Sequence, residues 1–198
     1  MGVNDKSWIS QCIADSHAAL DSLAAQLDKV AEAVDLVVGT FERGCKFLTC
    51  GNGGSAAEAM HMSEEAVGRF RDNRISLPAV ALVADGTALT CIGNDYGFDN
   101  VFSRQVEGLG NPGDLLVLFS TSGNAENLTR ALAAAKAKGM KTLAILGRDG
   151  GRLAGLADVE IIIKGTDSGR IQEAHQLLMH ILLDGVDRRF VKRAQGSI

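Results

Sequence analysis

The sequence predicts an α/β fold: a doubly wound, flavodoxin-like, five-stranded parallel sheet flanked by helices, preceded by an N-terminal helical segment. Three observations carry this expectation. Five short apolar runs, 47–50, 79–83, 115–119, 142–146 and 159–163, are separated mostly by longer helical patterns. Their apolarity is continuous rather than alternating, which marks strands buried on both faces. Glycine, serine and threonine gather where the runs end, the edge at which such sheets bind ligands.

Taken in order, residues 1–43 read as a helical oligomerisation segment and 44–198 as one sheet-based domain. In the first segment Ile9, Ile13, Ser16, Leu20, Leu23, Leu27, Val30, Val34 and Val37 alternate four and three apart, a heptad-like stripe. A helix or helix pair packed on its own domain would show this stripe, and so would a seam with neighbouring subunits. His17 lies off it and reads as a surface residue. Helical patterns then cover 56–70, 87–91 continuing through 102–109, 125–138 and 170–190, with Ser168 a plausible cap for the last. Pro78 and Pro112 fall outside element interiors.

Composition removes several function classes. With 198 residues and 46% hydrophobic content the chain can bury a sizeable core, and a net charge of −4 gives no footprint for nucleic acid. Cys12, Cys45, Cys50 and Cys91 form no Cys-x-x-Cys pair, and Cys50 falls in a buried strand, so a reduced, cytoplasmic chain is expected. The first residues lack an apolar signal core and no run reaches membrane-spanning length. Asn127-Leu128-Thr129 matches a glycosylation sequon, which carries no meaning without secretion.

The chemistry gathers around Gly51-Asn52-Gly53-Gly54-Ser55, between the first strand and its helix. Glycines allow close backbone approach and positive φ, and the helix start offers free N–H groups to a phosphate. Gly54-Ser55-Ala56 lacks the lysine a P-loop requires. A dinucleotide fingerprint is met only loosely, because Asp72 lies in a polar loop rather than at a strand end. Ser120-Thr121-Ser122-Gly123-Asn124 follows the third strand and forms a second anion cradle; alone it would read as a capping turn. Two such loops at one sheet edge point to a sugar phosphate.

His61 and Glu65 share one face of the helix after the glycine loop. On the last helix Gln172, Gln176 and His180 follow at i, i+4 and i+8, while Glu173 and His175 point elsewhere and read as solvated. His180 sits among Leu177, Leu178, Met179, Ile181 and Leu182 and needs a polar partner, for which His61 and Glu65 are candidates.

From about Gly44 to Phe190 these motifs resemble the sugar-isomerase (SIS) domain and, within it, the phosphoheptose isomerases. Beside the motifs above, Leu77-Pro78-Ala79-Val80-Ala81-Leu82, Gly93-Asn94-Asp95-Tyr96-Gly97, Phe102-Ser103-Arg104-Gln105-Val106 and Arg170-Ile171-Gln172-Glu173-Ala174-His175 carry the likeness. The resemblance implies an aldose–ketose isomerase acting on sedoheptulose 7-phosphate. It implies zinc held by His61, Glu65, Gln172 and His180. Substrate contacts are implied for Asn52, Gly53, Gly54, Ser55, Glu65, Asn94, Asp95, Ser120, Thr121, Ser122 and Gln172. Homotetramers with sites between subunits are implied as well. Ala125 stands where the family often has another phosphate-binding serine, a loss of about one hydrogen bond, roughly 1 kcal/mol.

Isomerisation through an enediol needs a base at carbon and an acid/base at oxygen, roles expected of Glu65 and His180. The rival is a non-catalytic SIS relative, a replication-initiator-associating protein or sugar-phosphate sensor; such relatives lack the glutamate and late histidine present here. A second rival is an isomerase of another ketose phosphate.

Overall fold

The computed structural model describes residues 5–191. Its elements are α1 (Ser7–Ala24), α2 (Leu27–Glu42), β1 (Phe47–Gly51), α3 (Gly54–Val67), β2 (Ala79–Ala81), α4 (Gly86–Tyr96) and α5 (Ser103–Leu109), then β3 (Leu115–Ser120), α6 (Glu126–Ala137), β4 (Lys141–Gly147), β5 (Val159–Ile163) and α7 (Ser168–Phe190). All five strands are parallel, in the order β2-β1-β3-β4-β5. After β1 the chain goes to one edge for β2 and returns on the other side for β3. The loops leaving β1 and β3 therefore stand side by side, at the switch point where α/β sheets open a crevice.

Alternate strand residues feed two cores. Leu115, Val117, Phe119, Leu143 and Ile145 pack with α1, α2, α3 and α7, while Leu116, Leu118, Ala144 and Leu146 pack with α5 and α6. Both faces of β1 and β3, and all of β4 after Lys141, are covered, so the apolar side chains on either face of these strands leave water. Cys50, in β1, is fully buried, and burial pushes its thiol well above the usual range.

The N-terminal stripe divides at the bend between α1 and α2, where the Gln26 amide donates to the carbonyls of Ser22 and Ile162, at 2.9 Å each. Leu23, Val30 and Val37 join the core shared by α7 and the sheet, so this part packs on its own domain. Trp8, Ile9, Ile13 and Leu27 stay exposed at 52%, 42%, 54% and 69%. The helix expected from 87 through 109 is broken by Gly97, whose φ of 83° starts a 3-10 turn at Phe98–Asn100. Asp167, not Ser168, caps α7, accepting N–H bonds from Gly169 (2.7 Å) and Arg170 (3.1 Å). Among the described residues no helix is long and apolar enough to cross a membrane.

Candidate active site

The two loops at the switch point enclose a cavity of about 110 Å³ whose polar lining is Asn52, Ser55, Ser120, Thr121 and Ser122, with Ala125 at its edge. Among the described residues, no lysine or arginine lines it. Ser120 Oγ accepts the Gly123 N–H at 2.9 Å and Ser122 Oγ that of Asn124 at 3.3 Å, which leaves both hydroxyl protons to donate elsewhere. Gly53 precedes α3 with φ 58°, and Ala125 precedes α6 with no side-chain cap. Both helices thus begin at this cavity, with first-turn N–H groups and dipole ends that favour an anion. Ser55 is buried in the first turn of α3.

One part of this site escaped sequence reasoning. Asn127, noticed there only within a sequon, is buried in α6, and its amide exchanges two 2.9 Å hydrogen bonds with that of Asn52. Its spacing from Leu128, Ala131, Leu132 and Ala135 places it on the buried face, the signal that could have found it.

Beside the cavity α3 and α7 form the walls of a cleft of about 530 Å³, which Gly54, Glu58, His61, Gln172 and Gln176 help to line. His61 Nε2 lies 3.2 Å from Glu65 Oε1, and the Gln176 amide nitrogen lies 2.7 Å from His61 Nδ1 and 3.1 Å from His180 Nε2. A chain of polar atoms thus runs from Glu65 to His180. With the amide donating, both nitrogens it meets are unprotonated, and His61 presents its own N–H to Glu65. Phe70 stacks on the His180 ring at 5.3 Å and His61 meets it edge-on at 5.4 Å. Burial and then repulsion from His61 hold His180 below the usual imidazole value of 6.5, against the opposing pull of Glu65.

Gln172 lines the same cleft but stands apart from this chain, its amide lying where a Cβ on Gly54 would be. Any larger residue at 54 would displace it. Asn94 and Asp95 sit exposed on α4, hydrogen-bonded to each other at 2.7 Å, and line neither cavity nor cleft. His175, expected in solvent, is fully buried: Nε2 meets the Leu146 carbonyl at 3.0 Å and Nδ1 lies 3.7 Å from buried Glu58. The drift of α7 turns residue 175 toward Phe119 and the sheet, while Glu173 remains exposed.

For a metal, His61, Glu64 and Glu65 offer ligand atoms within 4.8 Å of one another. The nearest nitrogens of His61 and His180 both fall within 3.1 Å of the single Gln176 amide nitrogen. His61 turns Nε2 to Glu65 and Nδ1 to Gln176, whose amide nitrogen lies between it and His180, so His180 stands outside the His61–Glu64–Glu65 group. The imidazole and carboxylate donors of that group are of types that suit zinc.

Comparison with known proteins agrees with this architecture. The SIS domain family matches residues 12–147. The phosphoheptose isomerase of Helicobacter pylori (strain P12) is 45% identical over 181 residues, which are 91% of this chain and 94% of the relative. That of Geotalea daltonii is also 45% identical, over 182 residues covering 91% and 95%. Among solved structures, phosphoheptose isomerase GmhA from Neisseria gonorrhoeae superposes with a TM-score of 0.87 at 41% identity, covering 92% of this chain and 98% of that one. The phosphoheptose isomerase from Francisella tularensis gives 0.88 at 34% identity, covering 93% and 98%.

The fold and the hydroxyl-lined switch point define an SIS-domain protein. Within that class, the chain belongs to the phosphoheptose isomerase family.

Proposed function

We propose that the chain is an aldose–ketose isomerase that converts D-sedoheptulose 7-phosphate to D-glycero-D-manno-heptose 7-phosphate, the first step toward the activated heptose of bacterial surface polysaccharide. The observation that carries this reading is the polar chain joining Glu65 to His180 beside a hydroxyl-lined cavity. The phosphate occupies the cavity, held by Ser55, Ser120, Thr121, Ser122 and the amides of Asn52–Gly54, and the sugar chain extends into the cleft. Glu65 takes the proton from the carbon beside the carbonyl and returns it to the adjacent carbon. His180, kept neutral, moves the second proton between the hydroxyl and carbonyl oxygens.

Zinc held by His61, Glu65, Gln172 and His180 belongs to the same reading, and when bound it polarises those two oxygens. So does a cytoplasmic homotetramer with sites between subunits and no nucleic-acid or membrane partner. Exposed Trp8, Ile9 and Ile13 support the assembly, as does the exposure of Asn94 and Asp95 away from this chain's own cleft. A coupled assay offering sedoheptulose 7-phosphate beside fructose 6-phosphate tests the substrate: turnover is expected on the former, and preference for the latter would sink the heptose assignment. Sedimentation tests the assembly, which a stable monomer at micromolar concentration would refute.

A further inference from the structure

The segment between α3 and β2 is fastened to one face of α7 at three successive places. Phe70 stacks on His180, Arg71 pairs with Asp184 at 2.8 Å, and Arg74 pairs with Asp187 at 2.9 Å. His180, Asp184 and Asp187 recur at i, i+4 and i+7, so they share that face. The first two fastenings are partly open to water, whereas the Arg74 side chain is 0% exposed and that of Asp187 7%.

Every contact of Arg74 bears on the same joint. Its guanidinium donates to Asp187 Oδ1 at 2.9 Å, to the carbonyls of Ala66 and Ile75 at 2.9 Å, and to the carbonyl of Glu65 itself at 2.6 Å. The last carbonyls of a helix have no partner within it, so Arg74 closes the end of α3 at the residue assigned as base. Asp187 in turn accepts the N–H groups of Arg71 (3.0 Å) and Asp72 (3.4 Å), tying the segment to α7. One buried ion pair therefore joins the backbone of Glu65 to the helix that carries His180.

We infer that Arg74 and Asp187 are positioning residues for the isomerase reaction, setting the separation and orientation of Glu65 and His180. A planar fork is needed, because one ammonium cannot reach Asp187 and three carbonyls together. The inference rests on Glu65 and His180 being the reacting pair, so Glu65→Gln is measured beside the test variants.

Arg74→Lys and Asp187→Asn are expected to lower kcat about 10- to 100-fold, the scale of a small misplacement of reacting groups, with KM unchanged within about twofold. Asp114→Asn breaks the partly buried Lys46–Asp114 pair between the starts of β1 and β3, which shares no partner with Arg74 or Asp187, and serves as the stability control. It should lower Tm comparably while leaving kcat per folded enzyme unaltered. Should Arg74→Lys fail to fold, Asp187→Glu, which keeps the charge and moves it by one methylene, is expected to show the same split. The inference is overturned if the clamp variants match wild-type kcat while Glu65→Gln is inactive, or if Asp114→Asn depresses kcat equally. Full turnover in Glu65→Gln would instead remove the reacting pair, and the clamp's role with it.

Discussion

Asn52 and Asn127, 75 positions apart, clasp amides through two reciprocal hydrogen bonds of 2.9 Å. Asn52 belongs to the glycine loop and Asn127 to the first turn of α6, so the clasp fixes the spacing of the two helix starts that face the anion cavity. Asn127→Ala removes both bonds and orphans the Asn52 amide, a loss of about 1–3 kcal/mol. Substrate or inorganic phosphate should bind about tenfold more weakly in calorimetry, with kcat changed far less. Unchanged affinity would show that the glycine loop holds its shape unaided.

At the reacting centre, Glu65→Gln keeps the side-chain shape but cannot take a proton. A fall in kcat of about 10²–10⁴-fold, the range for a lost acid or base, is expected with fold and substrate affinity nearly intact. His180→Gln should behave alike. The double variant should lose less than the product of the two, because the residues act as a unit.

The two glutamines of α7 should separate on metal content. Gln172→Ala is expected to lower zinc retained after dialysis, whereas Gln176→Ala should retain it, since Gln176 bridges the histidines rather than belonging to the proposed ligand set. Elemental analysis of the folded proteins decides, and the reverse pattern would transfer the amide ligand to Gln176.

Ala125 begins α6 without a side-chain cap and borders the cavity. Ala125→Ser should add a cap worth about 1 kcal/mol to stability. It should also tighten phosphate binding by about one hydrogen bond, roughly fivefold. Calorimetry showing no gain would mean that the hydroxyl does not reach the anion.

Asp114 offers a pH test of the fold. Burial raises its carboxyl, but bonds from the Lys46 side chain and from the Lys46 and Asn111 backbone outweigh this and hold it below the usual 3.8. Its contribution is therefore present above that value and lost as pH falls through the lowered one. Asp114→Asn should narrow the stability difference between neutral pH and pH 3, measured by urea unfolding. An unchanged difference would show that the pair adds no acid-sensitive stability.

The strands were legible because burial on both faces leaves continuous apolar runs, and 159–163 coincides with β5 end for end. The switch point followed from where the glycine and hydroxyl loops fall along the chain. Less legible were features that depend on how distant faces rotate. His175 and Gln176 are neighbours on one helix, yet one turns to the sheet and the other to the cleft, because α7 packs on α3 and β4 at once. The break at Gly97 left no apolar interruption, only a glycine. Asn127 hid behind a local motif whose meaning depended on cellular compartment.

The burial of Cys50 lends the protein an internal clock. Its thiol sits in the middle of the sheet, one residue before the glycine loop, with its ionisation suppressed, whereas Cys91 is exposed and Cys12 and Cys45 are half-buried. An alkylating reagent added to the native protein should therefore mark Cys91 early and Cys50 only when the central strands part. The rate of that last modification would record how often the crevice-bearing edge of the sheet opens, and ligand seated between the two loops should slow it.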